Sequence, residues 1–318
     1  MLDVLFPAGI VFFFVGLILP LINFQAQSKI VRQIGLICSC IGGVLLLFFS
    51  LKIILSGQSY SIYVYQIFSS FEFSFSIDRL SALFIFLVSI VSLPVSIYSI
   101  NYVEHIEHNR KRNFVVSFMN MFIASMVLVI ASSNMFSFLF FWETMALASF
   151  FLVMIEYEKK ETAKAGIFYF VMTHLSTIFL FFAFIFIYST TGTLSMQQIR
   201  ADSAVLSVAF AFLFLGFGVK AGIIPFHKWL PYAHPASPSN ISALMSGVML
   251  KVAIYGLVRF ILLMPLQLWW GIIILLIGTV SAILGVIYAL KEHDLKRLLA
   301  YHSIENIGII GIGIAIGC

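Results

Sequence analysis

The sequence predicts an all-α, polytopic membrane helical bundle of about ten spans with a discontinuous seventh helix. Three observations carry that expectation. Of 318 residues, 62% are hydrophobic and only 10% are charged, with a mean hydropathy of +1.09, whereas soluble domains carry about a quarter charged residues. Runs of roughly twenty apolar residues recur from one end to the other, each long enough to cross a hydrocarbon core about 30 Å thick. The seventh run holds Gly216, Gly218, Gly222 and Pro225 around a lysine, Lys220. Proline lacks the N–H donor, and a helix interrupted at membrane depth is tolerated only inside protein or beside water.

Taken in order, the spans are expected at about 5–24, 34–55, 80–100, 113–131, 134–154, 165–188, 204–225, 239–262, 270–290 and 297–317. Clusters of Gly, Pro, Ser and charge separate them. The first begins close to Met1 with no basic region before it and no cleavage pattern after it, so it reads as a retained span rather than a signal peptide. Residues 1–112 hold the first three spans. Residues 113–318 hold the other seven, read as a second part of the chain.

Basic residues predict the orientation. Lys29 and Arg32, then Arg110, Lys111 and Arg112, then Lys159, Lys160 and Lys164, then Lys228, then Lys291, Lys296 and Arg297 fall in alternate loops. Only Lys52, Arg79, Arg200 and Arg259 fall on the other side. The positive-inside rule then puts the N-terminus and Cys318 outside and the basic loops in the cytoplasm. The net charge of +5 is therefore a topology signal, and no nucleic-acid partner is expected. No loop is long enough for a soluble domain. There is no phosphate-binding glycine loop, no dinucleotide fingerprint and no cysteine cluster. Cys38 and Cys40 lie two apart and point to different faces of a helix. No cofactor or metal is expected in this chain, so any nucleotide or redox group belongs to a partner.

A few polar residues lie where apolar ones belong. Glu143, in FLFFWETMALASFF, follows the start of its helix by nine residues, or about 13 Å, close to mid-bilayer. Lys220 and Lys251 each sit well inside a span, at a cost of about 2.5–3.5 kcal/mol on insertion scales. Desolvation disfavours an ammonium and a neighbouring carboxylate favours it. A Glu143–Lys220 pair would therefore hold a proton when closed and release it when parted. A permanent ion pair that only fixes helix register is the plain alternative.

The tenth span opens DLKRLLAYHSIENIG, where Tyr301 and Glu305, and His302 and Asn306, are four apart and form two polar stripes. His302 can relay protons through either ring nitrogen and would extend a path beyond Lys251. His174 on the sixth span is a further candidate. His227 and His234 lie in a proline-rich stretch and either admit protons from the cytoplasm or pack. With no carboxylate near, they suit zinc badly.

WETMALASFFLV, KAGIIPFHKWLPYAHPASP, SALMSGVMLKVAIYGLVR and DLKRLLAYHSIENIG together resemble the antiporter-type subunits of respiratory complex I. Their relatives are the multisubunit cation/proton antiporters and the membrane-bound hydrogenases. YHSIENIG with AHPASP and SALMSGVMLK is similar in particular to the component B group of hydrogenase-4 and formate hydrogenlyase complexes. The resemblance is specific from about Asn113 onward. It implies two inverted five-helix repeats, each with one broken helix, of which this chain would hold the first whole and part of the second. It assigns Glu143 to the fifth-helix glutamate, Lys220 to the lysine of the broken helix and Lys251 to the central lysine of the eighth. The charged residue of a broken twelfth helix would lie beyond Cys318, so the chain is expected to be C-terminally incomplete.

The expected function is proton translocation in a redox-driven complex, with Glu143, Lys220, Lys251, His302, His174 and Glu305 as relay residues. His227 and His234 form the entry, and Gly218, Gly222 and Pro225 the helix break. The expected partners are other membrane subunits, a peripheral hydrogenase or dehydrogenase arm reached indirectly, and the lipid bilayer. Three other readings stand beside it: a monovalent cation/proton antiporter subunit without redox partners, a structural scaffold whose path is vestigial, and a quinone-binding enzyme subunit, for which the sequence offers no cofactor motif.

Overall fold

The computed structural model describes residues 2–22, 28–68, 71–196, 199 and 203–318. Ten helical segments are long and apolar enough to cross a membrane, the number expected. Six come first, each essentially continuous: α1 (Leu2–Ile22), α2 (Lys29–Ser56), α3 (Arg79–Tyr102), α4 (Asn109–Ala131), α5 (Met135–Val153) and α6 (Lys160–Thr191). The seventh span is broken as expected into α7 (Ser203–Ala221) and α8 (Trp229–Ala236). The eighth is α9 (Ser239–Leu244) and α10 (Leu250–Leu263), joined by a π-helical turn at Met245–Met249. The hairpin of α11 (Leu268–Lys291) and α12 (Leu295–Gly317) closes the bundle. Arg200, counted above among the basic residues, lies outside the described residues.

Several helices start earlier than expected. Helix α2 begins at Lys29 and α6 at Lys160, within charged clusters that read as loop. Lys, Arg and Gln at the start of α2, and Lys, Glu and Ala at the start of α6, are good helix formers in water, so both helices run on past the apolar zone. The sheet is an addition. Strands β1 (Tyr60–Phe68) and β2 (Phe71–Ile77) pair antiparallel with Tyr60 opposite Ile77 and Ile62 opposite Phe75. The run FEFSFSI alternates strictly, which is the period of a half-buried strand.

That hairpin covers one end of the bundle. Asn134 ties it to α5: its amide donates to Glu72 O (3.0 Å) and Ser74 Oγ (2.8 Å), and its Oδ1 accepts from Ser137 N (2.8 Å) as the helix cap. At the opposite end Arg32 is 2% exposed, and its guanidinium grips Glu104 with two 2.8 Å bonds.

Between the ends, α4 is the most enclosed helix and packs against α1, α2, α3, α5 and α10. One buried cluster runs from Phe6 to Ile307, across residues 1–112 and 113–318 alike. Helices α11 and α12 touch backbone to backbone: a Cβ on Gly308 would lie 2.4 Å from Ala282 N and 2.6 Å from Gly278 O. Small residues at such a crossing give the close approach on which helix association in lipid depends.

Asp78 caps α3 through Ser81 N (2.9 Å) and pairs with Arg259. Burial pushes its carboxyl up, but the bonds from Arg259 and Ser81 outweigh that and hold it below the usual range. Its contribution to stability is therefore complete above the pH of about 4 at which an unfolded aspartate titrates, and is lost as pH falls through the lower folded value. Asp78→Asn keeps a capping side chain and removes the charge. The variant is expected to be less stable than the parent at neutral pH and to converge with it in acid. Thermal unfolding in detergent from about pH 3 to 7 reads this directly; parallel curves would refute it.

Candidate ion path

The break in the seventh span sits beside its lysine. Gly222 has φ +75°, a conformation that favours glycine, and a Cβ there would collide with Leu230. Gly218 O accepts from both Gly222 N (2.9 Å) and Ile223 N (3.1 Å), which closes α7. Pro225 ends the non-helical stretch ahead of the 3₁₀ turn Phe226–Lys228. The opened backbone is satisfied from neighbours: Trp229 Nε1 donates to Val219 O (2.9 Å), and Ile224 N donates to Ser281 Oγ of α11 (3.0 Å).

Lys220 is fully buried. Its ammonium donates to Tyr169 Oη at 3.4 Å and lies over the rings of Tyr169 (5.4 Å) and Trp142 (6.0 Å). Among the described residues it forms no ion pair within 4.0 Å; Glu143 is the acid whose charge acts on it. The expected Glu143–Lys220 contact is thus not closed. Glu143 Oε2 instead faces His174 Nε2 at 3.5 Å, and Glu143 Oε1 is buried with no partner among the described residues. Both side chains are about one third exposed, on a face otherwise made of residues such as Phe140, Val171 and Ile178.

From Lys220 the polar contacts lead along the bundle. Tyr169 Oη shares a 2.6 Å bond with Ser149 Oγ and reaches Met249 Sδ at 3.5 Å. Met249 closes the π turn, two residues before Lys251. The π turn frees the Ser246 carbonyl, which accepts from Lys251 Nζ at 2.7 Å. Ser246 Oγ in turn meets Ser303 Oγ of α12 at 2.9 Å. Ser303, not His302, is the α12 residue that reaches this column. His302 lies half exposed on the next face, bound through Nδ1 to Glu305 Oε2 at 2.6 Å.

His234 is 2% exposed; Nδ1 meets Ser242 Oγ at 2.8 Å and Nε2 is buried without a partner among the described residues. His227 is buried and stacks on Tyr288, ring centroids 5.8 Å apart. A cleft of about 440 Å³ opens beside α8 between Lys160, Tyr232, Pro235 and Arg297. Buried polar atoms without protein partners are where internal water belongs, and Glu143 Oε1, Trp142 Nε1 and His234 Nε2 are three of them.

The structure therefore brings Glu143 to His174 and joins Lys220, Tyr169 and the turn before Lys251. It does not bring His302 to Lys251. The sequence reading missed Tyr169, Trp142 and Ser303. A tyrosine or tryptophan in an apolar helix reads as packing, and only the fold aims its polar tip at an amine.

Residues 132–318 match the family model described as "NADH:quinone oxidoreductase/Mrp antiporter, TM", and residues 66–115 match "NADH-Ubiquinone oxidoreductase (complex I), chain 5 N-terminus". Hydrogenase-4 component B of Escherichia coli is 40% identical over 256 residues, 77% of this chain and 38% of that protein. Formate hydrogenlyase subunit 3 of the same organism is 34% identical over 254 residues, 77% of this chain and 39% of that protein. The chain thus spans about two fifths of the length of these curated relatives. In three dimensions it is similar to a chain of an archaeal membrane-bound sulfane sulfur reductase (TM-score 0.82, 21% identity, covering 99% of this chain and 64% of that one). It is also similar to a chain of the Mrp complex of Dietzia (TM-score 0.81, 22% identity, covering 97% and 58%). By the extent of the family match and the fold that carries it, the chain belongs to the NADH:quinone oxidoreductase/Mrp antiporter transmembrane family.

Proposed function

We propose that the chain translocates protons as a membrane subunit of a redox-driven complex of the hydrogenase, formate hydrogenlyase or NADH–quinone oxidoreductase type. It would lie in a bacterial inner membrane with its N-terminus outside. The observation that carries this reading is Lys220: a fully buried amine, at a helix break, with a hydroxyl as its hydrogen-bond partner and Glu143, the acid expected to pair with it, not closed on it. A purely structural lysine would be expected to close on that acid.

In this mechanism the charge of Glu143 is set jointly by His174 and by a neighbouring subunit seated on their half-exposed face. A charged Glu143 holds the proton on Lys220; when that charge is neutralised the proton leaves through Tyr169 and ordered water toward Lys251. Ser246 and Ser303 then lead toward α12, where His302 and Glu305 continue the relay. His234 and the cleft beside α8 supply protons from the basic-loop side, with His227 at the break. Moving one charge against about 150 mV costs roughly 3.5 kcal/mol. Partner subunits must provide that energy.

The test is Glu143→Gln in the assembled complex, reconstituted in sealed vesicles with a pH-sensitive dye. Gln keeps the shape and loses the charge. Proton uptake per turnover is expected to fall by about tenfold or more with subunit composition unchanged. Uptake at the parental rate would sink the proposal.

A further inference from the structure

The face of α10 that carries Lys251 continues to the hairpin end through Tyr255 and Arg259, each four residues further along. Neither belongs to the path above. Their surroundings are unlike the rest of that path, because the polar side chains bond to one another in a single network. Tyr255 Oη donates to Ile130 O (2.7 Å), shares a bond with Ser81 Oγ (2.9 Å) and accepts from Arg259 Nε (3.2 Å). The Arg259 guanidinium reaches Asp78 with bonds of 2.6 and 2.7 Å and Ser81 Oγ with a third of 2.7 Å. It also lies 5.4 Å from the centre of the Tyr255 ring, whose other contact is the edge of Phe84.

Burial is graded across this cluster. Ser81 and Tyr255 are closed off at 0% and 2%, the Arg259 side chain is 17% exposed, and the Asp78 side chain is 45% exposed. The positive end of the pair therefore faces inward and the negative end meets solvent. None of these four residues holds a buried unsatisfied atom, whereas Glu143, Trp142 and His234 do.

We propose that Asp78, Ser81, Tyr255 and Arg259 form a plug that bars protons from leaving Lys251 along α10 toward the hairpin end. The proposal rests on the proton-translocating function set out above. Two physical properties make the plug. Arginine does not release its proton in proteins, so it cannot act as a carrier, and its charge opposes the approach of another proton. The hydroxyls of Tyr255 and Ser81 each hold three bonds within the cluster and to Ile130 O, so a water wire threading between them has to break that network. Lys251 and Arg259 are eight residues apart, about 12 Å along a helix. At an effective dielectric of about 20, two unit charges at that distance repel by enough to slow a step about tenfold, an upper bound because Asp78, on the far side of the guanidinium, offsets part of its charge. A proton on Lys251 then has one polar way onward, sideways through Ser246 to Ser303 on α12.

The experiment is passive proton leak, measured without turnover. Sealed vesicles holding the chain in its native complex receive an imposed pH gradient, and an internal dye reports its decay. The double variant Arg259→Gln with Asp78→Asn removes both charges together and leaves no lone buried ion. Tyr255→Phe keeps the ring against Phe84 and removes the hydroxyl. Each is expected to leak about tenfold faster than the parent, and adding Lys251→Ala is expected to abolish the excess. Parental tightness in folded, assembled variants overturns the plug, as does a leak that persists in Lys251→Ala. Should the double variant fail to assemble, Tyr255→Phe decides alone. Driven uptake in Lys251→Ala separates the two readings: if it survives, the relay through Lys251 falls and the plug with it, and if it is lost while plug variants stay tight, only the plug falls.

Discussion

Replacing Lys220 with methionine is expected to abolish proton movement through the assembled complex and, in the same preparation, to raise thermal stability. The two effects share one cause. The ammonium is fully buried, with one long bond to Tyr169 at 3.4 Å and no acid within 4.0 Å among the described residues. Withdrawing an ion from water costs several kcal/mol even after relaxation, and the two aromatic rings below it return about 0.5–2 kcal/mol each. Methionine is unbranched, flexible and close in length, so it fills the same space without the penalty. A gain of about 1–4 kcal/mol follows, the range seen when buried charge gives way to packed apolar groups. Function should be lost because a thioether carries no proton. Stability held below its optimum at a working residue is the expected trade. Unfolding in detergent and dye-reported uptake in vesicles check the two halves. A variant that loses both stability and transport would make Lys220 a structural residue.

Much of the fold was legible because the bilayer imposes a length on apolar runs. The ten spans, and the interruption at Gly218, Gly222 and Pro225, follow from composition and from where the backbone loses its donor. Helix ends were less legible, since membrane thickness does not limit a helix whose polar, helix-favouring residues continue into water, as at Lys29 and Lys160. The hairpin was visible in the alternation of Phe71–Ile77, but apolar content alone hid it among helices. For the path, charge at depth singled out Glu143, Lys220 and Lys251 from sequence. What sequence could not supply was pairing across helices. Spacing set His302 and Glu305 on one helix, yet the rotation of α12 gives Ser303, not His302, to the Lys251 column. Tyr169 became relevant only when α6 met α7. Arg32 shows the same limit from the other direction: counted as a loop charge that sets topology, it is among the most enclosed side chains.

Arg32→Met is accordingly expected to cost about 3 kcal/mol or more, the low end of the range for removing one partner from a buried ion pair. Arg32 and Lys220 are both basic and both enclosed, yet their substitutions should move stability in opposite directions. Arg32 Nε and an Nη donate to the two oxygens of Glu104 at 2.8 Å each, and the other Nη donates to Asn113 Oδ1 at 3.2 Å. That planar fork fits a carboxylate with little loss of side-chain freedom on bonding. It also joins the start of α2 to the end of α3 and the start of α4. In the variant the Glu104 carboxylate, 19% exposed, keeps only Arg112 at 3.2 Å as an ion-pair partner among the described residues. Arg112 is why the low end applies. The Arg32→Met, Glu104→Gln double variant removes the orphaned charge and is expected to recover most of the loss, leaving a coupling of about 1–3 kcal/mol in a double-mutant cycle. Denaturant unfolding in detergent measures all four corners. A single variant as stable as the parent would mean that this pair, like the lysine at the helix break, is kept for a reason other than holding the bundle together.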